Sequence, residues 1–170
     1  IEAEKATFAA AFNGKPTYIR LAREKTPVFT TEKTPFKIGE AEILRQGKDV
    51  TIIACGPLVY GALFAAEKLE KEGIDAEVIN NHTIKPMDKE SIIASAKKTK
   101  VVVTVEEHQI MGGMGSAVAE VLAQNFPDPM EMIGINDCFG QSGSPEELLN
   151  FFGLTHPFIV KAVKKALKRK

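Results

Sequence analysis

The sequence lacks several features that mark particular classes of protein. It has no tryptophan and only two cysteines in 170 residues. Cys55 and Cys138 show neither metal-ligand spacing nor a disulfide framework, which is typical of a reducing cytoplasm. No apolar run approaches the roughly 20 residues of a membrane helix, and no signal peptide opens the chain. We therefore expect a cytoplasmic protein that has no membrane partner.

The sequence also lacks an excess of charge of either sign, since 22 basic residues balance 22 acidic ones. No net field would therefore recruit nucleic acid or an anionic membrane. The C-terminal tail is locally basic, which suits the negative end of a helix dipole. A hydrophobic content of 44% is near average for a globular domain, so we expect a full core.

Strand-like and helix-like segments alternate along most of the chain. Runs rich in β-branched residues at 50–55, 76–80 and 101–105 predict buried strands, and helical periodicity follows each of them. Asp88 and Ser144 are predicted to cap two of the helices. This alternation predicts an α/β fold of three αβα layers around a mostly parallel open sheet.

The first 40 residues differ in character from the rest. Residues 1–12 predict a helix, residues 17–23 predict a strand, and residues 24–40 have the composition of a linker. We therefore expect residues 1–23 to be the remnant of a domain other than 41–170. Because the chain starts inside a helix and without methionine, we expect it to be a piece of something longer.

The segment after the predicted strand 101–105 carries a dense group of polar residues and glycines, which predicts a turn into a helix. The group consists of Glu106, Glu107, His108, Gly112, Gly113 and Gly115. Open α/β sheets place ligands at such junctions, and acids beside a histidine suit proton transfer. The alternatives are polar turn residues or residues that pair across a subunit interface, and these are favoured over catalysis.

The glycines of this turn also raise a dinucleotide-binding interpretation, because the free N–H groups of a helix N-terminus bind phosphate. The third glycine of that fingerprint would fall at Val118, and no suitable acid ends a second strand about 20 residues later. Zinc-ligand spacings and a serine nucleophile elbow do not occur. The sequence therefore predicts no metal site and gives the nucleotide interpretation little weight.

Two arginines lie in the predicted strand 17–23. Arg20 and Arg23 are three residues apart, so in a strand they would point to opposite faces. Arg23 lies at the carboxyl end, where α/β sheets bind ligands, and a guanidinium group suits bidentate phosphate recognition. The alternative is an arginine that is merely solvated, and spacing alone favours that alternative.

A set of short motifs occurs along the chain in a specific order. They are TYIRLAR at 17–23, QGKDVT at 46–51, IKPMD at 84–88, VEEH at 105–108 with GGMGSAV at 112–118, and DCFG at 137–140 with SPEELL at 144–149. The ordered set resembles the C-terminal part of transketolase, and the Glu-Glu-His form is most similar to split transketolases. Relatives that share this plan are 1-deoxy-D-xylulose 5-phosphate synthase and the β subunits of 2-oxo acid dehydrogenases.

The resemblance implies a function for the complete enzyme. That family transfers a two-carbon ketol unit between sugar phosphates with thiamine diphosphate and Mg²⁺. Residues 1–23 would correspond to the last helix and strand of the pyrimidine-binding domain, residues 24–40 to a linker, and residues 41–170 to the transketolase C-terminal domain. The implied partners are the thiamine diphosphate-binding domains or an N-terminal subunit, in a homodimer or heterotetramer.

The same resemblance limits what this chain contributes. The cofactor-binding Gly-Asp-Gly motif does not occur, and the activating glutamate would precede Ile1. We therefore expect no cofactor, no catalytic residue and no activity on the chain alone. Arg23 matches the arginine that binds the sugar phosphate, while Glu106, Glu107, His108 and the turn at 112–116 are implied to serve packing and a subunit interface. The competing interpretation is a non-catalytic interaction or regulatory domain.

Overall fold

A computed structural model describes all residues from 1 to 170, with five strands and six helices. The strands are β1 (Glu42–Arg45), β2 (Val50–Ala54), β3 (Ala76–Asn80), β4 (Val102–Gln109) and β5 (Met130–Ile135). The helices are α1 (Glu2–Phe12), α2 (Leu58–Glu70), α3 (Lys89–Thr99), α4 (Met114–Asn125), α5 (Pro145–Phe151) and α6 (His156–Leu167). None of the helices combines the length and the apolar composition that a membrane crossing requires.

The five strands form one sheet in the order β1-β3-β2-β4-β5. Strands β2 to β5 are parallel, and β1 pairs with β3 in the antiparallel direction at one edge. Every residue of β2 and β3 is buried, as expected for parallel strands that helices cover on both faces. The predicted α/β class with a mostly parallel open sheet is therefore confirmed.

Helices pack on both faces of the sheet and give the predicted three αβα layers. The larger cluster of buried side chains joins Ile52 of β2 to Leu69 of α2 and Ile159 of α6. The cluster on the opposite face joins Ile53 to Ile92 of α3, because successive strand residues point to opposite faces. Each fully buried side chain of this size contributes roughly 1.5–3 kcal/mol.

The predicted helix caps are present. The Asp88 carboxylate accepts the N–H of Ser91 at 3.0 Å and the N–H of Ala41 at 2.9 Å, so it links α3 to the residue before β1. Partial burial raises the pKa of Asp88, but the hydrogen bonds from Ala41 and Ser91 outweigh burial and hold this pKa below its usual value. Ser144 and Glu147 form the predicted capping box of α5.

The N-terminal part departs from expectation at one point. Helix α1 forms as predicted, but residues 17–23 form no strand. A strand needs a neighbouring strand to bond its backbone, and this segment pairs with neither β1 nor β5 at the edges of the sheet. The expectation that Arg20 and Arg23 occupy opposite strand faces is therefore wrong. The domain boundaries at 1–23, 24–40 and 41–170 stay a prediction.

Candidate functional site

The acidic pair after Val105 lies in a strand and not in the predicted turn. Strand β4 continues to Gln109, whereas β2 ends at Ala54, which pairs with Val105. Residues 106–109 therefore extend past β2 at the carboxyl edge of the sheet, and we call them the β4 overhang. The strand continues because Gln109 still pairs with Ile135 of β5 after a shift in register.

Glu106 is buried in the β4 overhang, with 2% of its surface exposed. Its two carboxylate oxygens accept the backbone N–H groups of Met114 and Gly115, each at 2.7 Å. The N-cap residue Gly113 has no side chain that could bond these groups. A negative charge at this end of α4 also interacts favourably with the helix dipole. Glu106 is therefore a cap that β4 supplies to α4.

Gly113 and Gly115 allow α4 to approach this carboxylate. A Cβ on Gly113 would overlap the Glu106 carboxylate and the backbone oxygen of Gln109. A Cβ on Gly115 would lie 2.6 Å from Thr104 Oγ1 and 3.1 Å from Glu106 Oε1. A real Cβ atom is essentially never found within 3.0 Å of such a neighbour, so a side chain at either position would force a shift. The two glycines are therefore required by packing at the junction of β4 and α4.

Because Glu106 caps the N-terminus of α4, this end of the helix is poorly suited to bind a phosphate or a cofactor. Two of the N–H groups at the start of α4 that could bind a phosphate, those of Met114 and Gly115, already donate to the Glu106 carboxylate. A phosphate would have to displace a buried carboxylate of the same charge. No group of three or more His, Cys, Asp or Glu side chains could hold a metal ion. The residues of this site therefore do not fit a diphosphate or Mg²⁺.

The other polar residues of the overhang face outward. The side chains of Glu107 and His108 are exposed. His108 Nδ1–H donates a hydrogen bond to the backbone oxygen of Gln109 at 2.8 Å, and Nδ1 lies 3.9 Å from Glu106 Oε2. Gly112 turns the chain with a φ of 78°, a conformation that favours glycine. The interface role of Glu107, His108 and this turn stays a prediction.

Cys55 follows β2 and lies near the overhang. The pKa of Cys55 is raised to about 12, mainly by burial and then by the charge of Glu106, while the guanidinium group of Arg20 acts in the opposite direction. The thiolate is the reactive form of cysteine, so this side chain is inert at neutral pH. The sequence predicts that Cys55 ends an apolar strand and contains no sign of its acidic neighbours.

The two arginines have different surroundings. Arg20 Nη1 donates a hydrogen bond to the backbone oxygen of Glu107 at 3.2 Å, which attaches the N-terminal part to the β4 overhang. Both arginines are exposed to solvent, and Arg23 lacks a comparable hydrogen bond. The structure therefore brings Arg20 to the junction that holds Glu106, and leaves Arg23 free three residues further along the chain.

Asn80 and Asn81 are two buried polar residues at this edge that no sequence motif marks as part of a site. Both are 1% exposed, and they follow the apolar run of β3 at the carboxyl edge of the sheet. Asn80 Nδ2 donates to the Glu2 carboxylate, but Asn80 Oδ1 and the side-chain polar atoms of Asn81 have no partner. Two consecutive amides, one ending a buried strand and one directly after it, are the signal that could have marked this edge.

Comparisons with known proteins identify the family. Residues 39–159 match the family model described as the C-terminal domain of transketolase. The chain belongs to the transketolase C-terminal domain family. It is 47% identical over 155 residues to the 6-deoxy-6-sulfo-D-fructose transketolase subunit SqwH of Clostridium sp. (strain MSTE9), covering 91% of this chain and 48% of that protein. The family resemblance inferred from the motifs is therefore confirmed.

Other members of the transketolase family are also similar. The chain is 43% identical over 138 residues to the 1-deoxy-D-xylulose-5-phosphate synthase of Desulfitobacterium hafniense (strain DSM 10664 / DCB-2), covering 80% of this chain and 22% of that protein. A solved structure of a split gene transketolase, described as an inactive beta4 tetramer, matches with a TM-score of 0.84 and 46% identity over 87% of this chain and 48% of that chain. This transketolase C-terminal domain chain spans about half the length of its SqwH relative.

Proposed function

We propose that this chain is the C-terminal part of a thiamine diphosphate-dependent transketolase of the cytoplasm, which transfers a two-carbon ketol unit between sugar phosphates. In this proposal the chain works only when it is assembled with the thiamine diphosphate-binding domains or with an N-terminal subunit. The observation that carries the proposal is the family match over residues 39–159, in a chain about half as long as a relative that is itself named a transketolase subunit.

The chain's own chemical contribution is assigned to Arg23. Its guanidinium group is exposed, so it is available to a ligand. A guanidinium group donates two parallel hydrogen bonds to a phosphate, which gives both affinity and orientation. Arg23 would therefore bind the phosphate of the sugar substrate. The carbanion chemistry would be supplied by thiamine diphosphate held outside this chain.

The second contribution is to assembly. We propose a homodimer, or a heterotetramer with an N-terminal subunit, in which exposed residues at the carboxyl edge of the sheet face a neighbour. Met111 and Phe139 are 61% and 94% exposed there. They lie on loops that Gln109 and Asp137 join, since the Gln109 side chain bonds the backbone N–H and the carboxylate of Asp137. A subunit contact would cover such apolar side chains. The solved relative, described as a beta4 tetramer, is consistent with self-association of this kind.

The proposal is tested by reconstitution. The chain is co-expressed with the N-terminal part of the enzyme from the same source and assayed with xylulose 5-phosphate plus ribose 5-phosphate. Parallel assays use the isolated chain and the isolated N-terminal part. We expect ketol transfer only from the assembled protein. Ketol transfer by the isolated chain would contradict the proposal, as would inactivity in every combination.

A second candidate, 1-deoxy-D-xylulose 5-phosphate synthase, is favoured by the 43% identity to such an enzyme over 138 residues. The same assembled protein distinguishes the two when it is given pyruvate plus glyceraldehyde 3-phosphate. Formation of 1-deoxy-D-xylulose 5-phosphate from this pair, with release of carbon dioxide and without ketol transfer between sugar phosphates, would identify the synthase. A 2-oxo acid dehydrogenase β subunit would support neither ketol transfer nor formation of 1-deoxy-D-xylulose 5-phosphate.

A further inference from the structure

The turn that follows β5 contains a residue in a strained backbone conformation. Asp137 has a φ of 43°, in the left-handed region that residues other than glycine rarely adopt. Lys100 is the only other such residue, and it ends α3 as a helix cap, where this conformation is common. Asp137 ends no helix, so a cap does not explain it. Such residues cluster at functional sites, where their surroundings hold them in place.

The side chain of Gln109 holds Asp137 in this conformation. Gln109 Oε1 accepts the backbone N–H of Asp137 at 2.9 Å, and Gln109 Nε2 donates to the Asp137 carboxylate at 3.2 Å. Gln109 is the last residue of β4 and pairs with Ile135 of β5, so it belongs to the sheet. We call this pair of hydrogen bonds the Gln109–Asp137 clamp. The clamp sets the direction in which the chain leaves β5.

The clamp presents Phe139 to the outside. Phe139 lies two residues beyond Asp137 and is 94% exposed, more than any other large apolar residue of the chain. It belongs to neither cluster of core side chains. Residues that dominate protein interfaces are enriched in large side chains that fill a pocket on the partner. A fully exposed phenylalanine on a fixed turn has the form of such an anchor.

The large exposed apolar side chains of residues 41–170 lie at one end of the domain. Each is found in a connection that leaves the carboxyl end of a strand, or in the first turn of α2 or α6. The set consists of Tyr60, Ile84, Met111, Phe139, Phe151 and Phe158. A contact that buries large apolar side chains of this domain would therefore use the carboxyl end of the sheet.

A second copy of this chain is the partner to which we assign this end. The homodimer and the heterotetramer of the proposed function both contain two copies. In a two-fold contact the same surface serves both partners, so one apolar patch is sufficient. The N-terminal part has a separate set of exposed apolar side chains to cover, which lie in residues 1–28. This set consists of Ile1, Phe8, Phe12, Tyr18, Leu21 and Val28.

We infer that the Gln109–Asp137 clamp holds Phe139 as the anchor of a contact between two copies of this chain. The inference rests on the proposed function, in which the assembled enzyme contains two copies. Because the clamp orders the turn before the partner binds, little conformational entropy is lost when Phe139 is buried. Gln109 is a positioning residue in this contact, since it acts through the conformation of Asp137.

The complete enzyme, with this chain assembled with the N-terminal part, is used for the test. Fluorescence-detected sedimentation at nanomolar to micromolar protein measures the dissociation constant between the two copies. We expect Phe139→Asp to raise this constant at least about 30-fold, the effect of losing a dominant interface residue. Gln124→Asp is the control, because it adds the same charge at an exposed position near the far end of α4. It should leave the constant unchanged.

Two variants test the clamp itself. Gln109→Ala removes both hydrogen bonds to Asp137, and we expect the dissociation constant to rise about five-fold. Asp137→Asn tolerates the left-handed conformation and keeps an N–H and an oxygen for Gln109, so it should stay within about two-fold of wild type. In a Phe139→Asp enzyme, Gln109→Ala should add nothing. Additive effects of the two changes would overturn the positioning role.

Urea unfolding separates this role from a merely structural one. Phe139→Asp and Gln109→Ala should both retain the unfolding midpoint of the wild-type chain. A Gln109→Ala variant that lowers this midpoint and leaves the dissociation constant unchanged would overturn the inference.

The remaining outcomes distinguish the partner. An unchanged dissociation constant in Phe139→Asp would overturn the inference, and so would release of the N-terminal part while the two copies stay joined. A wild-type assembly with one copy of this chain would show that the proposed homodimer or heterotetramer is wrong, and the inference would fail with it. Sedimentation does not depend on ketol transfer, so failure of the proposed activity is detected separately.

Discussion

Glu106 and Gly113 lie so close that the carboxylate of Glu106 fills the space that a Cβ on Gly113 would need. The same carboxylate accepts the backbone N–H groups of Met114 and Gly115 at 2.7 Å. The buried carboxylate therefore depends on two hydrogen bonds from α4 and on a glycine that lets α4 approach it closely. Each of these parts can be removed separately.

Glu106→Ala should destabilise the chain strongly. It removes the acceptor of two N–H groups at the start of α4 and leaves them buried without a partner. We expect the free energy of unfolding in urea to fall by about 2–4 kcal/mol, the scale of lost hydrogen bonds to a charged group. Glu106→Gln retains one acceptor and should lose less. The exposed Glu107→Ala is the control, with a change within about 0.5 kcal/mol, and equal losses from both alanine variants would refute the capping role.

Gly113→Ala should also destabilise, for a steric reason. The new methyl group would overlap the Glu106 carboxylate and a backbone oxygen, so α4 must move away from β4. Overpacking of this kind costs about 1–3 kcal/mol. Gly140→Ala adds the same methyl group where no atom lies within 4 Å, and it should leave the melting temperature nearly unchanged. Matching melting temperatures for the two variants would show that the close approach does not exist in solution.

The two cysteines should differ in reactivity. Cys138 is exposed, whereas burial and the charge of Glu106 raise the pKa of Cys55 to about 12. Since the thiolate is the attacking species, a thiol reagent such as Ellman's reagent at pH 8 should modify Cys138 and leave Cys55 unmodified until the chain unfolds. In the Cys138→Ser variant we expect no rapid reaction. Rapid modification of that variant in its folded state would contradict the burial of Cys55.

Asp88 should make stability depend on pH in the acid range. The pKa of Asp88 lies below its usual value of 3.8 in the folded chain, so its carboxylate stabilises the fold at neutral pH, and this contribution is lost as the pH falls below 3.8 and through the folded pKa. Asp88→Ala should lower the free energy of unfolding at pH 7 by about 1–2 kcal/mol, and the difference from wild type should shrink in strong acid. Asp88→Asn keeps a cap without a titrating group, so it should lack this dependence. Urea unfolding at several pH values measures the stability of wild type, Asp88→Ala and Asp88→Asn. A difference in stability between wild type and Asp88→Ala that does not vary with pH would contradict the predicted role of the Asp88 carboxylate.

Arg23→Ala tests the proposed phosphate contact in the assembled enzyme. Because a charged hydrogen-bonding group is lost, we expect the KM for phosphorylated sugars to rise by the equivalent of about 1.5–3 kcal/mol. The KM for glycolaldehyde should stay nearly constant, since this acceptor has no phosphate. Steady-state kinetics with both acceptors measures the difference, and Lys15→Ala serves as the charge-matched control. An unchanged KM for ribose 5-phosphate would remove Arg23 from the site.

Local patterns were sufficient to predict most of the fold. The apolar runs of β2 and β3 are buried throughout, and the caps at Asp88 and Ser144 lie where their short motifs placed them. A buried parallel strand or a helix cap involves residues that are neighbours in sequence, so its signal is contained in a few positions. The order of the motifs along the chain also predicted the family correctly.

The candidate site was predicted only in part, since it depends on contacts between distant residues. Arg20 and Glu107 are 87 positions apart, and their hydrogen bond forms because β4 extends beyond the end of β2 at the edge of the sheet. The strand predicted at 17–23 did not form, because a strand needs a partner and the sheet offers none to this segment. The sequence by itself determined the alternation of strands and helices, through periodic burial. Only the tertiary structure decided that Glu106 caps α4 instead of lying in a turn. The length of β4 is set by its pairing with neighbouring strands, and a cap that β4 supplies to α4 depends on how this strand and this helix pack.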